Sequence, residues 1–319
     1  MILFFGVALL AAWELTTIRP KGKRVEIDCQ QCGPERFFLL YAGSGNHDAK
    51  NLRDLIIVVH GFGSTAERTI ATTRGRYEEL ALSGNAVVVH AQSEKTSANW
   101  FIGDLGSIPN YDGTPPPPKI DDFAYFDALW AEALLLYPFL ERVHLIGMSR
   151  GAMASYALTC AQRLPVASLT AFTMPMPEMA VADCAGVSGV DFTLVNGTRD
   201  QLVPFYGGAI QVPWLAFAGE RQFGQVTETD DTLLRWTAFN GCNRYDVQRH
   251  EQNEVRDGTI VVTRLWLNCA AGTVAHIRIV GGGHRWDNER WNPLAWAILG
   301  RTSREAIDAG PFAVELTDY

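Results

Sequence analysis

Leu55–Val59 is a continuous apolar run of strand length, and Ala86–Val89 and Val143–Ile146 repeat the pattern. Runs of this kind mark strands buried on both faces, as in a parallel sheet. Phe37–Tyr41, Ala167–Thr173, Phe192–Val195, Thr259–Leu267 and Val274–Val280 add further strand-like segments. Helical stretches lie between them. One runs from about Ala66 to Leu82 and stops near Ser83-Gly84-Asn85. A second starts at Asp121-Asp122, with Phe123, Phe126, Trp130, Ala133, Leu134 and Tyr137 on one face, and Pro138 ends it. A third follows Ser149 to Arg163, and a fourth spans Thr229–Phe239. Strands alternating with helices predict an α/β fold, a mostly parallel central sheet with helices on both faces. Gln92 to Lys119 has no clear periodicity, and so long a loop within a compact domain is usually functional. No repeat or linker divides the chain, so residues 25–319 are expected to form one domain behind a segment of residues 1–24.

Composition narrows the class. The 319 residues are 47% hydrophobic and 19% charged, which is globular. A net charge of -8 with no basic run in the body argues against a nucleic-acid partner. Residues 1–13 are apolar but shorter than the ~20 residues a spanning helix needs. They resemble the core of a secretory signal, although the basic residues Arg19, Lys21, Lys23 and Arg24 follow the apolar run instead of preceding it. Export to the periplasm or medium is the expectation, with residues 1–13 as a candidate weak membrane anchor. Six cysteines suit an oxidising compartment. Cys160 with Cys184 and Cys242 with Cys269 are the preferred pairs, because each flanks one compact segment. Cys29-x-x-Cys32 has no accompanying Cys or His pair for zinc, so a disulfide is favoured there and no metal or cofactor is expected.

The chemistry centres on Gly147-Met148-Ser149-Arg150-Gly151, placed after a buried strand and before a helix. Gly-x-Ser-x-Gly in that context is a sharp turn with serine at its apex. A serine hydroxyl needs a base, and the base needs an orienting acid. In open parallel sheets the ligand site lies beyond the C-terminal strand ends. His60, Ser149, Asp200 and His284 each follow a predicted strand, so one edge gathers them. Ser149 is read as nucleophile, His284 as general base and Asp200 as acid, with Asp183 and Asp191 as rivals for the acid. A helix cap for Ser149 and a simple turn for Asp200 are the plain alternatives. The oxyanion donors are assigned to the amides of Arg150 and Phe62, with Gly61 and Gly63 as alternatives for the latter. His60 is read as a brace for that loop, and His47, His90, His144, His250 and His276 as structural.

These segments resemble the polyhydroxybutyrate depolymerase-like and feruloyl esterase group of α/β-hydrolases. The matching pieces are His60-Gly61-Phe62-Gly63, Asn99-Trp100-Phe101, Asp121-Asp122-x-x-Tyr125-Phe126 and the elbow with Ala152-Met153. Asn196-Gly197-Thr198-x-Asp200-x-x-Val203-Pro204-Phe205-x-Gly207-Gly208, Trp236-x-x-x-Asn240-Gly241-Cys242 and Gly281-Gly282-Gly283-His284-x-Trp286 match too. The resemblance implies the α/β-hydrolase fold and secreted hydrolysis of feruloyl or acetyl esters of plant polysaccharides, or alternatively of polyester oligomers. It also implies Trp100 and Trp286 as lining for the substrate cleft, against a plain core or rim role. A non-catalytic binding protein on the same fold is the reading from another class. Two positions depart from the pattern: Arg150, where a small or polar residue is usual, and Ala152, where a second glycine is.

Overall fold

The computed structural model describes residues 22–43, 52–82, 86–94, 98–101, 120–212, 223–243 and 258–285. In chain order the strands are β1 (Lys23–Glu26), β2 (Phe37–Tyr41), β3 (Asp54–Val59), β4 (Val87–Ala91), β5 (Arg142–Met148), β6 (Val166–Phe172), β7 (Asp191–Gly197), β8 (Gly208–Ala209), β9 (Gln225–Val226), β10 (Ile260–Trp266) and β11 (Val274–Val280). The helices are α1 (Ala66–Thr72), α2 (Arg76–Leu82), α3 (Asp122–Leu136), α4 (Arg150–Cys160), α5 (Ala180–Asp183) and α6 (Thr229–Phe239).

One nine-stranded sheet runs β1-β2-β4-β3-β5-β6-β7-β11-β10, and β8 and β9 form a separate small ribbon. The pairs from β4 through β3, β5, β6, β7 to β11 are all parallel. The outer pairs β1–β2, β2–β4 and β10–β11 are antiparallel. The apolar runs explain the central position of β3, β4 and β5. Successive side chains alternate between faces. Leu55, Ile57 and Val59 enter one core cluster, and Ile56 and Val58 enter the other. α1 and α2 cover the second cluster through Ala66, Tyr77 and Ala81, while α3, α4 and α6 cover the first through residues such as Phe126, Tyr156 and Trp236. Each fully buried Val, Leu or Ile contributes about 1.5–3 kcal/mol, so a strand apolar on both faces is held from both sides.

Four expectations change. The tail expected to reach Arg24 ends sooner, because Lys23 and Arg24 belong to β1 and pair with Leu40 and Leu39. The helix expected over 66–82 is two helices. Arg74 and Gly75 adopt φ of 53° and 71°, left-handed values that no α-helix accommodates. The buried stripe of α3 is Asp122, Tyr125, Phe126, Leu129 and Ala133, rotated from the expected face. Tyr125 is drawn inward because its hydroxyl donates to Phe37 O (2.8 Å) and accepts from Gln92 N (3.0 Å). The sequence pattern also passed over β1, α5, β8 and β9, all of four residues or fewer.

Disulfides join Cys160 to Cys184 and Cys242 to Cys269, as expected, and Cys29 to Cys32. Among the described residues, no helix is long and apolar enough to cross a membrane. Residues 1–13, expected as a signal or anchor, lie outside the described residues, as does most of the aperiodic loop.

Candidate active site

Ser149 sits between the end of β5 and the start of α4, with φ 52° and ψ -117°. A non-glycine residue in that region carries strain of order 1–3 kcal/mol, and such strain gathers at functional positions. The turn is held by its amide, which donates to Phe172 O at 2.9 Å. The side chain makes no capping bond to α4, so the helix-cap alternative does not describe it. Gly151 explains how the elbow comes so close to its neighbours. A Cβ there would lie 2.2 Å from Val59 O and 2.4 Å from His60 O, so only glycine lets α4 begin against the end of β3.

β5, β6, β7 and β11 are parallel neighbours in the sheet, so the segments after β5, β7 and β11 leave from the same edge. The segment after β7 carries Asp200. Its Oδ1 accepts from the amides of Leu202 and Val203, both at 2.9 Å, and its Oδ2 lies 2.8 Å from His284 Nδ1. A carboxylate at that distance fixes the tautomer: Nδ1–H donates, leaving Nε2 able to accept a proton. The carboxylate is buried at 1% side-chain exposure, whereas the imidazole keeps 15%. Gly197 lets the two loops meet, since a Cβ there would sit 2.2 Å from Gly282 O. Arg199 N donates to the same carbonyl at 2.9 Å, and Gly281 N donates to Thr198 Oγ1 at 2.9 Å, so the acid and histidine loops are stitched together. Among the described residues, no hydrogen bond links the Ser149 hydroxyl to His284 in this resting geometry; such bonds often tighten only with substrate bound.

The rival acids lie elsewhere. Asp191 opens β7, and its Oδ1 accepts from Thr273 N and Oγ1 at 2.7 and 2.9 Å. That is the opposite edge of the sheet from Ser149. Asp183 is the last residue of α5.

The loop after β3 is braced by His60. Its Nδ1–H donates to Gly61 O (2.8 Å), its Nε2 accepts from Ser93 N (3.2 Å), and its carbonyl accepts from Trp100 Nε1 (2.8 Å). With one ring nitrogen donating and the other accepting, the imidazole is neutral, and burial holds its pKa down to about 4 against the Gly61 bond. Of the amides weighed as oxyanion donors here, that of Gly63 is engaged with Ala98 O at 2.9 Å. Arg150 opens α4, where the first amides of a helix have no intrahelical partner and a developing negative charge is favoured.

A serine in a strained strand-to-helix turn, with an acid and a histidine following in that chain order at the same sheet edge, decides the architecture. The fold is that of the α/β-hydrolases. No protein-family model matches the chain. It is similar to a protein of Nocardia uniformis subsp. tsuyamanensis named "Putative esterase NocK", with 24% identity over 282 residues, 87% of this chain and 78% of that one. Among solved structures, it resembles Est1E from Butyrivibrio proteoclasticus at 13% identity and a TM-score of 0.46, covering 87% of this chain and 96% of that one. It also resembles TT1662 from Thermus thermophilus at 16% identity and a TM-score of 0.46, covering 88% and 97%.

One sequence-based assignment needs revision. Trp100 does not line a cleft. It is fully buried against Tyr125 and Phe126, with its ring N–H spent on His60 O. Trp286 lies outside the described residues, as do His47 and His250. His90 pairs with Glu78, His144 bonds Asp54 and Ser168, and His276 bonds Asn196, all structural placements. Sequence reasoning missed the buried pair of Arg36 with Asp122, whose other oxygen accepts Phe101 N. The Asp121-Asp122 doublet was its only trace. Asp121 caps α3 through Phe123 N, but its neighbour points into the core.

Proposed function

We propose that this chain is a serine carboxylic-ester hydrolase that works through Ser149, His284 and Asp200 and an acyl-enzyme. The observation that carries the reading is the Asp200–His284 bond, with the acid's other oxygen clamped by two amides, beside a strained serine elbow on the same sheet edge. In the proposed cycle Ser149 Oγ attacks the acyl carbon while its proton passes to His284 Nε2. The carbonyl electrons move onto oxygen, which the amides of Arg150 and Phe62 stabilise. The intermediate collapses, and His284 returns the proton to the departing alcohol. Water then repeats the sequence on the acyl-enzyme, releasing the acid and regenerating the serine. Asp200 keeps the imidazole in the accepting tautomer and offsets its positive charge.

The substrate class proposed is feruloyl or acetyl esters of plant polysaccharides, or similar soluble esters. The segments around Asp200 and His284 support it through their resemblance to that group. The esterase name of the Nocardia relative agrees with the broader activity. Secretion or a periplasmic location is supported by three disulfides, which persist in oxidising compartments.

The test is an ester panel varying acyl length and aromaticity, with polyhydroxybutyrate oligomers alongside, run on wild type and Ser149→Ala. Turnover of soluble esters and fluorophosphonate labelling are expected for wild type, and both vanish in the variant while the fold is retained. Activity confined to the oligomers would replace the substrate class with polyesters. Wild type with neither label nor turnover would support a non-catalytic binding protein instead.

A further inference from the structure

The residue after Ser149 is a buried arginine. Its Nε donates to Asn99 Oδ1 (2.9 Å) and one terminal nitrogen donates to Trp100 O (2.8 Å). The other terminal nitrogen lies 3.1 Å from Met153 Sδ. The stretch it grips, Ala98 to Phe101, is the one that holds the oxyanion loop. Ala98 O accepts Gly63 N at 2.9 Å, and Trp100 Nε1 donates to His60 O at 2.8 Å. On its far side the stretch is anchored at Phe101 N by Asp122 Oδ2 at 2.5 Å. Asp122 Oδ1 in turn meets Arg36 at 2.6 Å. Asn99 Oδ1 also accepts Trp100 N at 2.9 Å, so one oxygen ties the local turn and the arginine together.

We propose that Arg150 is a positioning residue that sets the oxyanion hole from both sides: its own amide is one donor, and its guanidinium, through Asn99 and Trp100, fixes the loop that carries the other. The inference rests on the ester-hydrolase reading above. Burying a guanidinium is costly, and an apolar side chain of similar length fills such a space without that cost. The cost is offset by bonds that a lysine could not reproduce, since they use a planar fork aimed at two acceptors. Burial pulls the Arg150 pKa down to about 9, with the Asp122 charge opposing, so the group stays cationic at neutral pH. A purely structural arginine would lower thermal stability and leave the chemical step alone. A clamp on the donor loop acts where charge develops, so it shows in kcat and not in KM.

The experiment compares wild type, Arg150→Met, Arg150→Lys, Asn99→Ala and the Arg150→Met/Asn99→Ala double variant on a soluble p-nitrophenyl ester. Each is also assayed with an alkyl boronic acid, which adds to serine as a tetrahedral anion. Arg150→Met is expected to lose about 10²-fold in kcat, comparable to losing one oxyanion donor, with KM within about threefold. Boronate affinity falls in parallel with kcat, and Arg150→Lys stays near Arg150→Met because the fork is gone. The double variant is no slower than the slower single, because both changes break one clamp. Folded variants with wild-type kcat and boronate affinity would overturn the inference, as would a loss confined to KM or a fully additive double. If Arg150→Met does not fold, Asn99→Ala decides the matter alone by the same criteria. A wild type that neither hydrolyses esters nor takes a fluorophosphonate label would sink the hydrolase reading and this inference with it. An active wild type with equally active variants sinks only the inference.

Discussion

Asp200 is bonded through both oxygens, and this makes its replacement unusually predictable. In Asp200→Asn the amide oxygen stays where Oδ1 is, because the N–H groups of Leu202 and Val203 need an acceptor. The amide NH2 is then left facing His284 Nδ1, which must accept, and the proton moves to Nε2. The base is locked in the tautomer that cannot take a proton from serine. The expected outcome is a loss of about 10⁴-fold in kcat with little change in melting temperature, checked by steady-state kinetics beside a thermal melt. A variant within tenfold of wild type would remove Asp200 from the proposed mechanism. The residue types and chain order of this pair were legible in the sequence. Its clamping by two amides was not, because a backbone bond leaves no residue-type signature.

At the scale of elements, the site depends on how closely α4 approaches the end of β3. Gly151 is the point of contact, and the obstacles a side chain would meet there are main-chain oxygens of Val59 and His60. Backbone at the end of a strand paired on both sides cannot swing aside as a flexible side chain would. Gly151→Ala is therefore expected to destabilise by about 1–3 kcal/mol or more and to displace the oxyanion loop. Melting temperature and kcat should both fall, and a variant with wild-type values for both would show that the approach is looser than the geometry implies. Periodicity located β3, β5, α4 and β11 because apolar runs and glycine punctuation are strong local signals. It misplaced the buried face of α3, where two hydrogen bonds pull Tyr125 inward, and it fused α1 with α2, where Arg74 adopts a left-handed conformation that its residue type does not announce.

Two imidazoles buried in the folded molecule link its stability to pH. Burial lowers the pKa of His60 to about 4 and that of His276 to about 3, from an ordinary value near 6.5. Below pH 6.5 the unfolded chain binds protons that the folded chain refuses. Stability is therefore fully present above about pH 6.5 and declines as pH falls toward 4, by about 1.4 kcal/mol per pH unit for each fully linked group. Urea midpoints measured from pH 7.5 to 4.5 should fall over that window. His276→Gln should flatten the slope while lowering stability at pH 7.5, since the bond to Asn196 is weakened. A midpoint that does not change with pH would contradict the burial of these neutral rings.

The sequence by itself determined the α/β alternation, the central strands and two of the three disulfide pairs as preferred pairs, and it offered Ser149, Asp200 and His284 as candidates. These depend on local periodicity, turn chemistry and residue type, which the chain carries in short windows. Only the tertiary structure decided which acid meets His284, that Trp100 is a buried prop, and that Arg150 reaches across to Asn99 and Trp100. Each of these depends on contact between segments tens of residues apart. Such contacts are set by the register and strand order of the sheet, and no local pattern encodes them.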